Sequence, residues 1–163
     1  MKHARLIVLA AAVAAGSLAS LPVAAQQEPL PDISGAWKFK TDPLPNKGCV
    51  ISGNITFKRI GRTNSYSCRF VSQEDCDRPG GPTFTRVQQS CSVTHSDGAF
   101  EITSTIDRIV DAGPADFKAA MMASENYAPD NFKVRPNKGE LIGDFHSVRQ
   151  ANVRFWRDTD LVG

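Results

Sequence analysis

Along most of this chain apolar residues recur at every second position, and that pattern predicts strands. The clearest case is Cys49–Arg59, where Cys49, Ile51, Gly53, Ile55 and Phe57 fall on one side and Ser52, Asn54, Thr56 and Lys58 on the other. A period of two belongs to a half-buried strand and is incompatible with an amphipathic helix. The alternation begins at Gly35, Trp37 and Phe39, which share a face opposite Ala36, Lys38 and Lys40. It continues at Tyr66, Cys68 and Phe70, beyond a turn at Gly61-Arg62-Thr63-Asn64. Residues 83–94 form the next expected strand, Ser96-Asp97-Gly98 a tight turn, and 99–110 the return, with Phe100, Ile102 and Ile106 inward. The phase slips between Ile106 and Ile109, which predicts a bulge near Asp107-Arg108. Strands follow at 131–135 and 140–148, around Pro136-Asn137-Lys138-Gly139, and at 151–157 with Val153 and Phe155 inward.

Three stretches break the alternation. Residues 42–48 read as a loop from their Pro, Asn and Gly content, and 73–82 as a charged loop ending in Pro79-Gly80-Gly81-Pro82. Between Gly113 and Tyr127, Pro114 suits a first helical position, Asp116 a first turn, and Ala119-Ala120-Met121-Met122-Ala123 a helix interior. One short helix or lid near 114–124 is expected, with an irregular strand as the alternative. The whole predicts a mostly β protein: a single antiparallel up-and-down barrel of about eight strands over residues 33–158.

The turns also set a register. Folding the chain about Gly61 to Asn64 so that Phe57 faces Cys68 places Cys49 opposite Cys76. Folding it about Pro79-Gly80 places Cys68 opposite Cys91. Four cysteines allow three connectivities. The register selects Cys49–Cys76 and Cys68–Cys91.

The N-terminus changes the picture of both compartment and charge. Lys2, His3 and Arg5 precede an apolar run from Leu6 to Ala15, and Val23-Ala24-Ala25 supplies the small residues of a signal-peptidase site. Residues 1–25 are therefore expected to be a cleaved signal peptide, the apolar run being short for a membrane span. Residues 26–32 form a flexible, Pro-bearing lead-in and 159–163 a C-terminal tail. The paired cysteines, with no C-x-x-C spacing among them, suit an oxidising compartment, so the expected location is periplasmic or secreted. Without Lys2 and Arg5, the 19 Lys plus Arg become 17 against 17 Asp plus Glu. That balance shows neither the excess positive charge nor the basic face that a nucleic-acid partner requires. No membrane span is expected after signal cleavage.

About eight short strands, opened by Gly35-Ala36-Trp37 and closed by Arg154 to Arg157, resemble a calycin-type barrel: lipocalins, avidins and the bacterial secreted metalloproteinase inhibitors. The lipocalin resemblance implies a barrel floor in which Trp37 packs against a terminal-strand Arg, best matched by Arg157. A guanidinium stacked on the indole face gives that pairing its physical sense. The Thr-Asp-Tyr-type motif of lipocalins is not evident, and avidin's set of tryptophans is missing, since Trp37 and Trp156 are the two present.

Candidate chemistry is sparse. His95 lies by a turn and His146 on an outward phase, and no spacing joins either to a nucleophile, so no catalytic residues and no cofactor are expected. Glu74-Asp75-Cys76-Asp77 and Asp158-Thr159-Asp160 lack the spacing of a calcium loop, so no metal is expected. Phe117, Met121, Met122 and Tyr127 form a possible ligand lid, since thioethers and rings adapt to irregular apolar ligands. Against a large cavity stand nine inward side chains: Trp37, Phe39, Phe57, Tyr66, Phe70, Phe100, Phe132, Phe145 and Phe155. The sequence therefore points to an exported, non-enzymatic protein-interaction or inhibitor-like module. The alternative is a calycin-like carrier of a small apolar or amphipathic ligand. In the inhibitor reading, residues 26–32 would insert into a partner's cleft, pre-stiffened by Pro29 and Pro31.

Overall fold

The computed structural model describes residues 30–45, 48–124 and 127–158. The expected signal peptide, the first part of the lead-in and the C-terminal tail lie outside them. The strands are β1 (Gly35–Thr41), β2 (Cys49–Arg59), β3 (Tyr66–Arg78), β4 (Gly81–Ser96), β5 (Ala99–Gly113), β6 (Asn131–Asn137), β7 (Glu140–His146) and β8 (Gln150–Arg157), with helix α1 (Ala115–Ser124) between β5 and β6. They form one closed barrel in sequence order, each strand antiparallel to the next and β8 pairing back to β1.

The register matches the turn-based reading. Phe57 faces Cys68 and Cys49 faces Cys76 across β2 and β3, while Cys68 faces Cys91 across β3 and β4. The disulfides Cys49–Cys76 and Cys68–Cys91 bridge these facing positions. The supposed charged loop at 73–82 is instead strand: β3 runs through Arg78 and β4 starts at Gly81. Its alternation never lapses, but the inward positions there are Ser72, Glu74 and Cys76, so polarity concealed the period.

The phase slip on β5 is a bulge, since Gln88 faces Arg108 while Gln89 faces Ile106, leaving Asp107 unpaired. A second shift leaves Val110 unpaired. Ile106, expected inward, is only half-buried. The reason lies in the neighbouring strand. β5 and β6 pair only over Phe100–Ile102, after which the two strands part and α1 runs beside β5. The helix starts with the bond from Lys118 N–H to Pro114 O at 2.8 Å. Phe117 and Met121, one turn apart, are its half-buried positions, as expected for residues stacked on one helical face.

Gly143 on β7 faces Val134 on β6. A Cβ there would meet Lys133 O at 2.1 Å and Val134 Cα at 2.8 Å. Both are backbone atoms of a paired strand and cannot swing aside. Gly143→Ala is therefore expected to destabilise the barrel by about 1–3 kcal/mol through overpacking. Chemical denaturation checks this, and an unchanged midpoint would show that the β6–β7 wall yields.

Candidate functional site

The interior was one candidate site, and aromatic rings fill it. Phe39 on β1 lies 5.8 Å from Phe70, 5.2 Å from Phe132 and 5.2 Å from Phe155, centroid to centroid. Phe132 in turn reaches Phe145 at 5.7 Å and Phe155 at 5.2 Å. These rings come from β1, β3, β6, β7 and β8, so they meet across the barrel axis at ordinary packing distances. Nearer the floor, Tyr66 bridges Phe57 at 6.5 Å and Phe100 at 6.2 Å. All nine large residues expected inward are buried.

The floor joins the two ends of the domain. The Arg157 guanidinium lies 4.2 Å from the centre of the Trp37 ring. It donates to the carbonyls of Ser34 and Asp32, while Trp37 Nε1 donates to Ile33 O at 2.9 Å. Gly35 has φ +105°, and a Cβ there would stand 3.1 Å from Arg157 Nη1. Glycine thus serves both the backbone conformation and the arginine's approach. Asp32 accepts hydrogen bonds from Ser34 N–H and Oγ and from Tyr66 OH, and these bonds hold its carboxyl below the usual range. Leu30 packs against the core. The described end of the lead-in is therefore docked on the floor.

At the breach between β5 and β6 sits a buried polar cluster that sequence reasoning missed. Asp130 Oδ2 accepts from Ser72 Oγ at 2.7 Å and Gln89 Nε2 at 2.6 Å, with Tyr127 OH at 3.4 Å. Asp130 N–H donates to Gln89 Oε1 at 3.0 Å, and Asp130 O accepts from Ser104 Oγ at 2.6 Å. Ser104 N–H donates to Asn131 Oδ1 at 2.8 Å. These side chains take up the hydrogen bonding that the β5–β6 ladder abandons after Ile102, which buried backbone demands. Burial pushes the Asp130 carboxyl up to about 6, against the lowering effect of its Ser72 and Gln89 hydrogen bonds. Burial and the nearby Asp130 raise the Tyr127 phenol well above its ordinary value. Glu74 and Arg149 form an ion pair next to this cluster. The space among them is about 70 Å³, room for a water or two and too small for a ligand.

The four residues of the expected lid do not share one cavity. Met122 and Tyr127 line a crevice of about 410 Å³ with Ile106 and Ile109, outside the barrel between α1 and β5. Phe117 instead lies under the Arg78 guanidinium at 5.0 Å. His95 is exposed beside the β4–β5 turn and His146 half-buried at the end of β7. Cys49, Glu74 and Cys76 bring possible ligand atoms within 4.8 Å of one another, but both sulfurs are bonded in the disulfide and supply no thiolate. Asp158 pairs with Lys38 at 2.9 Å, and its neighbours Thr159 and Asp160 lie outside the described residues.

The exterior holds what net charge concealed. Lys38, Lys40, Lys58, Arg69 and Arg86 occupy outward positions on β1 to β4, so the barrel does have a basic face. β1, β2 and β4 contain no Asp or Glu, and the carboxylates that reach this face are Asp158, paired with Lys38, and Asp75, which accepts from Gln73.

No protein-family model matches the chain, and no curated protein matches it in sequence. The class is therefore the one the fold defines, a closed antiparallel eight-stranded barrel consistent with calycin-type architecture. Its two disulfides fit a periplasmic or extracellular compartment. Among the described residues no helix is long and apolar enough to cross a membrane.

Proposed function

We propose that this protein is an exported, non-enzymatic interaction module that engages a protein partner through its exterior, in the manner of an inhibitor-like calycin. The observation that carries this reading is the set of phenylalanine rings meeting across the barrel axis, which leaves the barrel as a scaffold for its surface. The docked lead-in supports it further. Leu30 packs against the core and Asp32 is hydrogen-bonded to Tyr66, so the described end of the lead-in is anchored on the floor, as the base of an inserting arm requires. A second reading rests on the crevice between α1 and β5, whose volume suits a small amphipathic ligand, with Ile106, Ile109 and Met122 as the apolar part of its lining and Asp107, Arg108 and Tyr127 as the polar part.

Native mass spectrometry of the mature protein, purified without denaturation from the cells that make it, separates the two. The expected spectrum shows the bare polypeptide, alone or with a second polypeptide. An apolar or amphipathic small molecule that disappears on unfolding, and that is lost on Met122→Ala, would overturn the interaction reading in favour of a carrier using the α1–β5 crevice; a bound saccharide would not.

A further inference from the structure

The middle of the basic face is shaped as a cleft of about 340 Å³ running across β8, β1, β2, β3 and β4. Short residues form its centre, Ser52-Gly53-Asn54 on β2, and long ones its margins: Trp156, Lys40 and the Asp158-paired Lys38 on one side, Gln73 and Arg86 on the other. The register explains the juxtaposition. Lys40 faces Ser52, Ser52 faces Gln73 and Gln73 faces Arg86, in one row across four strands. Lys40 is exposed and in no ion pair among the described residues. The carboxylate across from Arg86, Asp111, is hydrogen-bonded by Lys118 at 2.8 Å and Ala112 N–H at 2.9 Å, and Arg86 acts on it through charge alone, with no hydrogen bond between the two. Gln73 donates one of its two amide N–H groups to Asp75 at 2.8 Å, and among the described residues its carbonyl oxygen accepts no side-chain hydrogen bond.

We infer that this cleft binds an anionic saccharide, a short run of uronic-acid-type sugar residues. The lining supplies three recognition elements together. Trp156 offers a flat amphipathic ring, Ser52, Asn54 and Gln73 offer hydroxyl and amide groups for sugar hydroxyls, and Lys40 and Arg86 offer cations for carboxylates. From β1 to β4 the span is about 14 Å at ordinary strand spacing, which suits an oligomer of a few sugars. An acidic peptide fits less well. Extended peptides gain affinity chiefly by adding to an open strand edge, and every strand under the cleft is paired on both sides. This inference is independent of the proposed protein partner, because it rests on the cleft and not on the filled interior.

The test is calorimetric titration of the mature protein with tetragalacturonate, its fully methyl-esterified form and an octapeptide of glutamate. The uronide is expected to bind, and the ester, which keeps the hydroxyls and loses the charges, to bind at least tenfold more weakly. Lys40→Ala, Arg86→Ala and Trp156→Ala are each expected to weaken uronide binding roughly tenfold. Lys58→Ala, on the same face but outside the cleft, should leave it within about twofold, because exposed charges beyond the site are screened. Unchanged thermal unfolding of the exposed-residue variants Lys40→Ala and Arg86→Ala would establish that the barrel is intact. Absence of uronide binding, equal binding of the ester, or equal loss in Lys58→Ala would overturn the proposal. Tighter binding of the glutamate peptide through Lys40 and Arg86 would also overturn it and give the cleft to a protein partner.

Discussion

Removing either disulfide is expected to cost about 3.5 kcal/mol, the loop-closure value for sequence separations of 27 (Cys49–Cys76) and 23 (Cys68–Cys91). Single domains of this size are stable by only about 5–15 kcal/mol, so one bridge is a large share of the total. The two loops interlock, because Cys68 lies inside the loop closed by Cys49 and Cys76. Their costs should therefore not add. Urea unfolding of Cys49→Ala/Cys76→Ala, Cys68→Ala/Cys91→Ala and the four-fold variant measures this. A cost below about 1 kcal/mol for either pair would show that the β2–β3–β4 register already restricts the unfolded chain and the bridges add little. Both bridges hold β3, the strand with inward polar residues at one end, where pairing has the least apolar burial behind it.

The second large effect is on the pH dependence of stability. Asp130 has a folded pKa of about 6, raised first by burial, against an ordinary value of 3.8. A raised folded pKa means that the native state holds the proton more tightly than the unfolded chain. The contribution is therefore fully present below about pH 4 and is lost as pH rises through about 6. Two units correspond to a loss on the order of 3 kcal/mol. The half-buried residues Glu101, Asp111 and Glu140 have their carboxyls lowered instead, each chiefly by a hydrogen bond from a Lys or Arg partner, and they act in the opposite sense. The Asp130 contribution is thus read from a difference. Asp130→Asn keeps the size and an acceptor for Ser72 and Gln89 but does not titrate. Relative to the parent, it should gain stability between pH 4 and pH 7, by up to about 3 kcal/mol. A constant difference across that range would show that Asp130 titrates alike in both states.

Much of the fold was legible because strand period and turn chemistry are local. The alternation of Cys49–Arg59 appears without knowledge of its neighbours, and Asp97 and Gly98 adopt the positive φ that a tight hairpin turn requires. From two such turns the facing residues of β2, β3 and β4 follow by counting, and with them both disulfides. The reading failed at 73–82 for an equally physical reason. Ser72 and Glu74 face inward to meet Asp130 and Arg149, and those partners stand more than fifty residues further along the chain.

The barrel, its strand order, the covalent pairing and the set of rings that fill it are all local in origin. Each of these follows from which residues alternate and where the chain turns. Where β6 leaves β5 depends on contacts between distant segments, and with it which polar side chains must replace the missing ladder and why a carboxyl is buried there. The basic face is non-local in the same way. Net charge is a sum that carries no positions, and Lys40, Ser52, Gln73 and Arg86 become one row only when three strand pairings place them side by side.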